Sequence, residues 1–195
     1  MSRLNSVWEA RLAVEQTWDG APAAPRECAL LRLTHAGDAL EIQVVAPFHA
    51  DPPPPGPAGS LHGLWEYEVV ELFLLGDREE YLEVELGPHG HYLALRLRGR
   101  RNIVRRDIAL EHRATIEGSG EGARWTASAR VPARWLPRGV HAANAYAIHG
   151  TGPERRYLAH RGAGGTAPDF HRLEHFVPFH LPPALASRAR DLEGD

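Results

Sequence analysis

The chain predicts an all-β protein, an antiparallel β-sandwich of two sheets. Three observations point there. Short apolar runs alternate with polar residues at a two-residue period, turn residues separate those runs, and helical periodicity is nearly absent. At 195 residues with 43% hydrophobic content, the chain is long enough for one sizeable core. We expect a single domain over 1–183 with a proline-rich surface loop at 51–60, followed by a C-terminal tail at 184–195 that is a short helix or a frayed end.

Taken in order, Leu12 and Val14 alternate with Arg11 and Glu15 in a first strand. Ala29 to Leu33 and Leu40 to Val44 flank the turn sequence THAGD, whose glycine marks a hairpin. DPPPPGPAGS at 51–60 removes backbone donors and stiffens the chain, so it reads as loop. Glu68 to Leu75 and Tyr81 to Leu86 flank GDREE as a second hairpin, and Pro88, His89 and Gly90 turn the chain into Tyr92 to Arg98. In that run Leu93, Leu95 and Leu97 share one face, which puts Arg96 and Arg98 on the solvent side. Further strands are expected from Ile108 to Ile116, Trp125 to Val131, Ala143 to His149 and Arg156 to His160, with one helical turn at Ala133 to Leu136. Trp125 alternates with Ala127 and Ala129 and reads as core. DFHRLEHFVPFHL, near the end, reads as extended.

Composition excludes several function classes. The 22 basic residues, all arginine, face 25 acidic ones for a net charge of −3, so no overall basic field recruits nucleic acid or an anionic bilayer. One cysteine, Cys28, forms no intrachain disulfide and no four-cysteine zinc site. No apolar run approaches the roughly 20 residues of a spanning helix. The opening MSRLNSVWEARLAVEQTW has no apolar secretion core, which makes the cytoplasm the expected location. Neither a strand–GxGxxG–helix unit nor a Walker pattern is present.

The most distinctive chemistry lies in LWEYEVVELF (64–73) and YLEVELGPHG (81–90). A two-residue period puts Glu83 and Glu85 on one face with Tyr81, and Leu82, Val84 and Leu86 on the other. Glu71 lies between Val69 and Phe73, while Glu68 shares the opposite face with Val70 and Leu72. A carboxylate on an apolar surface needs a partner. That partner is either an arginine across a wet sheet face or a bound ligand in a groove. Paired acids also suit glycoside hydrolysis, and Glu83 and Glu85, about 6.6 Å apart along a strand, fall in the working range.

His171 and His175, with Asp169 nearby, have a metal-like spacing, but their segment does not read as a helix, and packing near Phe170, Phe176 and Phe179 is the simpler role. Trp65, just after the proline loop and beside charged residues, is the best exposed aromatic platform, with a strand-start anchor as its alternative role.

The runs LWEYEVVELFLL, EYLEVELGPHGHYL, ANAYAIHG and DFHRLEHFVPFHL together resemble a family of small, largely uncharacterised proteins. Their fold looks like carbohydrate-binding module family 9 and the related DOMON-type sandwiches, with immunoglobulin-like or jelly-roll-like two-sheet architecture. The resemblance runs from Trp8 to Leu181. It implies a glycan held between aromatic rings and polar side chains, with structural calcium. By motif, the ligand-binding positions it implies are Glu71, Glu83, Glu85, His89, Asn144 and His171, with Trp65 in the place of a ring. It implies no catalytic residue. The single methionine, Met1, leaves no His/Met haem pair.

The resulting expectation is a non-catalytic intracellular binding protein for carbohydrate or another small polar ligand. The alternatives are a glycoside or small-metabolite hydrolase using Glu83 or Glu85, and a structural or protein-interaction domain whose glutamates and arginines satisfy each other.

Overall fold

The structure, a computed structural model, describes residues 8–106 and 108–191. The strands are β1 (Glu9–Val14), β2 (Gln16–Thr17), β3 (Ala29–Ala36), β4 (Ala39–Pro47), β5 (Gly59–Ser60), β6 (Val69–Leu75), β7 (Glu80–Leu86), β8 (His91–Arg98), β9 (Ile103–Arg105), β10 (Glu111–Glu117), β11 (Arg124–Pro132), β12 (Ala142–His149), β13 (Arg156–Ala159) and β14 (Val177–Pro178). One short helix, α1 (Pro183–Ala186), follows. No helix among the described residues is long and apolar enough to cross a membrane.

The strands form two sheets. The first has the order β1-β3-β4-β11-β10 and the second β2-β13-β12-β6-β7-β8-β5, with β14 also on β12 and β9 on β8. All pairings are antiparallel except β5, which runs parallel to β8 and so turns the end of the proline-rich loop into an edge strand. The expected helical turn at Ala133 is a 3-10 turn over Ala133–Trp135. The closing segment is not α-helical: it has a turn at Phe170–His171, a 3-10 turn at Leu173–His175 and the two-residue strand β14.

Alternation places the inter-sheet core where the sequence reading expects it. Leu12, Val14, Leu31, Leu33, Ile42, Val44 and Trp125 from the first sheet meet Val70, Leu72, Leu74, Leu82, Val84 and Leu86 from the second. Each fully buried aliphatic side chain there contributes roughly 1.5–3 kcal/mol. Leu185 and Ala189 close one end of this core, so the segment after 183 is packed as far as it is described, and residues 192–195 of the expected tail lie outside the described residues.

Two expectations are corrected. The outer face of the second sheet is not wet: every residue of β6 and β7 is buried. Val69, Phe73, Leu75, Tyr81, Leu93, Leu95 and Leu97 form a second apolar cluster beneath loops carrying Leu61, Trp65, Ile103, Phe170, Leu173 and Phe176. Arg96 is not on a solvent face either, being 1% exposed. It shares the inter-sheet face with Ala94, and its guanidinium meets Glu80 at 2.7 Å and the Trp135 carbonyl at 3.1 Å. Arg98 pairs with the same carboxylate at 2.6 Å. Cross-strand Glu–Arg pairing therefore exists, but on Glu80 rather than on Glu71, Glu83 or Glu85.

Candidate functional site

A cavity of about 380 Å³ opens on the outer face of the second sheet. Glu71 and Glu83 lie along it with Leu95, Leu97 and Ile148 from the sheet, and Trp65, Arg101, Ile103, Tyr157, Pro168, Asp169, Phe170 and His171 complete the lining. The register explains the acidic floor. Glu71 pairs with Glu85 directly across β6 and β7, and Phe73 pairs with Glu83. Opposed side chains on one face sit about 5 Å apart at Cβ, so the three carboxyls form one cluster.

None of the three finds a basic side chain in an ion pair among the described residues. Glu83 Oε2 and both oxygens of Glu85 are buried without a hydrogen-bond partner. Burial pushes Glu83 up to about 7, with Glu85 close enough to share a proton and pull slightly the other way. Burial raises Glu71 well above the usual carboxylate range, the charge on Glu83 adds to this, and Arg155 opposes it. Glu85 is raised chiefly by burial and then by Glu71 and Glu83, while the Trp65 backbone amide, outside hydrogen-bond geometry, pulls back. A carboxylate in an apolar site takes a proton when no cation compensates it.

Three loops build the walls. Residues 61–68 carry Trp65 in a 3-10 turn that begins after Gly63, whose φ of 86° only glycine adopts freely. Arg155 holds this loop by donating to the carbonyls of Trp65 and Glu66 while its side chain lies over Tyr157. The β8–β9 turn carries Arg101, whose guanidinium donates to Asp169 at 2.9 Å. The third loop leaves β13 and rejoins the sheet at β14, and its exit is fixed by Asn144. That amide accepts from Arg161 N–H at 3.1 Å and donates to the Arg161 carbonyl at 3.0 Å and to Tyr146 Oη at 2.8 Å. Phe170 then stacks on Tyr146, with ring centroids 3.9 Å apart.

Tyr81 ties two of these loops together. Its hydroxyl accepts the Arg101 backbone N–H at 3.0 Å and shares a hydrogen bond of 2.8 Å with His171 Nδ1. Because the hydroxyl already accepts from Arg101, its buried proton is satisfied by donation to Nδ1, which assigns the His171 proton to Nε2. Burial pushes its pKa down to about 4, and the Arg101 charge adds to the effect, so the ring is neutral at physiological pH.

The structure brings Trp65, Glu71, Glu83 and His171 to one cavity. Glu85 is fully buried beneath them and does not line it. Asn144 is 0% exposed, with its amide used on the loop, and His89 sits at the β7–β8 turn, edge-on to Phe48 with centroids 5.8 Å apart. Neither reaches the cavity lining. Sequence reasoning missed Arg101 and Tyr157. Tyr157 was readable, because alternation in RYLA sets it on the face opposite the fully buried Leu158. Among the described residues no group of three or more His, Cys, Asp or Glu side chains is disposed to hold a metal ion. His171 and His175 have other partners, the latter accepting from Arg172 at 2.7 Å.

No family model matches the chain. Among solved structures, that of a suggested carbohydrate-binding protein from Bacteroides uniformis superimposes with a TM-score of 0.61 at 16% identity, over 88% of this chain and 85% of that one. This likeness carries the two-sheet fold alone. Curated relatives are much nearer in sequence. The UPF0462 protein C4orf33 homologue of Mus musculus is 40% identical over 93% of this chain and 97% of its own length. The Danio rerio homologue is 42% identical over 86% and 87%, and the Homo sapiens protein is 39% identical over 93% and 94%. With identity of this order along nearly the whole length of both partners, the chain belongs to the UPF0462 family.

Proposed function

We propose that the chain is a non-catalytic binding protein whose ligand is a carbohydrate, held in the cavity on the outer face of the second sheet. The observation that carries this reading is the combination of aromatic walls and a buried polar floor. Trp65, Tyr157 and Phe170 line it with aromatic rings, while Glu71, Glu83 and His171 bring hydrogen-bonding groups. A cavity of about 380 Å³ suits a small ligand. The role suggested for the Bacteroides uniformis protein supports the same ligand class. We extend the resemblance to carbohydrate-binding module family 9 and DOMON-type domains on the strength of the two-sheet architecture.

The test is a thermal-shift screen against mono- and oligosaccharides, uronates and phosphosugars, with Trp65→Ala as control. A saturable rise lost in the control supports the reading, because native-state binding must raise apparent stability. A flat screen at millimolar concentrations, with folded protein, sinks it.

One observation favours a hydrolase as the second reading: Glu83, pushed up to about 7, lies in a concave pocket as a general acid would. Against it, Glu85 does not line the cavity, and burial raises all three carboxyls rather than setting one acid against one ionised partner. Chromogenic glycosides incubated with wild type and Glu83→Gln decide this. Turnover abolished in the variant would establish the enzyme.

A further inference from the structure

The floor of the cavity is a cluster of acids that no basic side chain pairs among the described residues. Glu71 and Glu83 line the space while only 2% and 4% exposed, and Glu85 adds a third carboxyl directly across from Glu71. The nearby cations are engaged elsewhere. Arg101 donates to Asp169, and Arg155 to the backbone carbonyls of Trp65, Glu66 and Gly150. His171 accepts the Tyr81 proton and is neutral. Glu83 Oε2, buried on the lining itself, has the Glu85 carboxyl beside it and no basic group in hydrogen-bond geometry. Without a paired cation the floor stays largely protonated, and an incoming cation is what would let its carboxyls ionise.

We infer that the ligand brings the missing cation: it presents a protonated amine to Glu71 and Glu83 beneath the rings of Trp65, Tyr157 and Phe170, and is an amino sugar. This inference rests on the carbohydrate reading above and narrows it. An ammonium group supplies three donors and a positive charge to a floor that has acceptors and excess acid. The aromatic walls favour the same charge, since a desolvated cation over a ring face gains roughly 0.5–2 kcal/mol. The same arrangement selects against uronates and phosphosugars, whose anions would face the glutamates. It also selects against N-acetylated sugars, which have lost the charge.

The experiment is calorimetric titration of the full chain at neutral pH with glucosamine, galactosamine and mannosamine, each beside its parent hexose and its N-acetyl form. Butylamine serves as an amine without a sugar, and Glu83→Gln, Glu71→Gln and Trp65→Ala as variants. At least one hexosamine should bind roughly tenfold or more tightly than its parent and N-acetyl forms, the discrimination typical of a buried charged hydrogen bond. Either glutamine variant, shown folded by its melting curve, should erase that preference. If a parent hexose or an N-acetyl form binds as well as the amine, the inference fails and the carbohydrate reading survives. If butylamine matches the hexosamines, the amine preference holds, but the amino sugar and the carbohydrate reading fall. No binding by any of them at millimolar concentration overturns both.

Discussion

Replacing Glu83 by glutamine should stabilise the protein at alkaline pH and leave it nearly unchanged in acid. Burial raises the Glu83 carboxyl from 4.5 to about 7. Below pH 4.5 the acid is protonated both folded and unfolded, so it contributes no difference. As pH rises, the unfolded chain ionises first and gains free energy that the folded state cannot match until about pH 7. At about 1.4 kcal/mol per pH unit, the interval from 4.5 to about 7 corresponds to a loss of about 3 kcal/mol of folding stability, complete by about pH 8.

Glutamine keeps the shape, places an amide donor beside Glu85 and does not titrate. The assay is urea unfolding of wild type and variant from pH 4.5 to 8. Only the difference between them is informative, because other groups oppose Glu83. His49, His89, His112, His149 and His171 all have lowered pKa values through burial, so their neutral folded forms lose stability as pH falls below 6.5. Those contributions, and that of Glu68, which burial raises to about 7, cancel in the subtraction. The variant's advantage should grow from near zero to about 3 kcal/mol, or roughly 6–12 °C in Tm for a chain of this size. A difference that is flat with pH, or a variant less stable at pH 8, refutes the account of an uncompensated buried acid.

Three further outcomes follow from the packing. Arg96→Met should cost about 3 kcal/mol in chemical denaturation, the low end for breaking a buried pair, because Glu80 keeps Arg98. Asn144→Ala should cost roughly 2–4 kcal/mol through the backbone groups of Arg161 it leaves unpaired, and faster amide exchange over 160–176 should accompany the loss. Gly150→Ala should destabilise by roughly 2–4 kcal/mol. Gly150 has a φ of +77°, and a methyl group there would lie 2.3 Å from the Glu154 carbonyl. Its thermal melt should fall while Gly37→Ala, in an open turn, changes far less.

Much of the fold was legible because alternation is local. The period in YLEVEL alone separates Glu83 and Glu85 from Leu82, Val84 and Leu86, and the structure keeps that separation. What covers each face is not local. The outer face of β6 and β7 is closed by Phe170, Leu173 and Phe176, about a hundred residues further along, so a stretch of alternating glutamates looked half-wet. Arg96 misled for the same reason, since its carbonyl partners belong to Trp135 and Arg190. At the cavity, residue types identified Trp65 and the glutamates. They could not show that Asn144 spends its amide on Arg161, nor that Arg101 arrives through a backbone bond to the Tyr81 hydroxyl.

The sheet order also bears on how these molecules behave when crowded together. An unpaired strand edge is a template for another chain, and a long flat edge seeds aggregation. Among the described residues the larger sheet ends in β2 and β14 on one side and in β5 and β9 on the other, two or three residues each, so a foreign strand finds little backbone ladder to extend. The smaller sheet ends on one side in β10, where Glu111, Arg113, Thr115 and Glu117 are exposed and alternate along the strand. Two copies meeting there in antiparallel fashion with the strands fully overlapped would set Glu111 against Glu117 at both ends. A protein whose central strands are buried on both faces thus keeps that material interior to its ladders, and leaves at these margins only edges too short or too charged to polymerise.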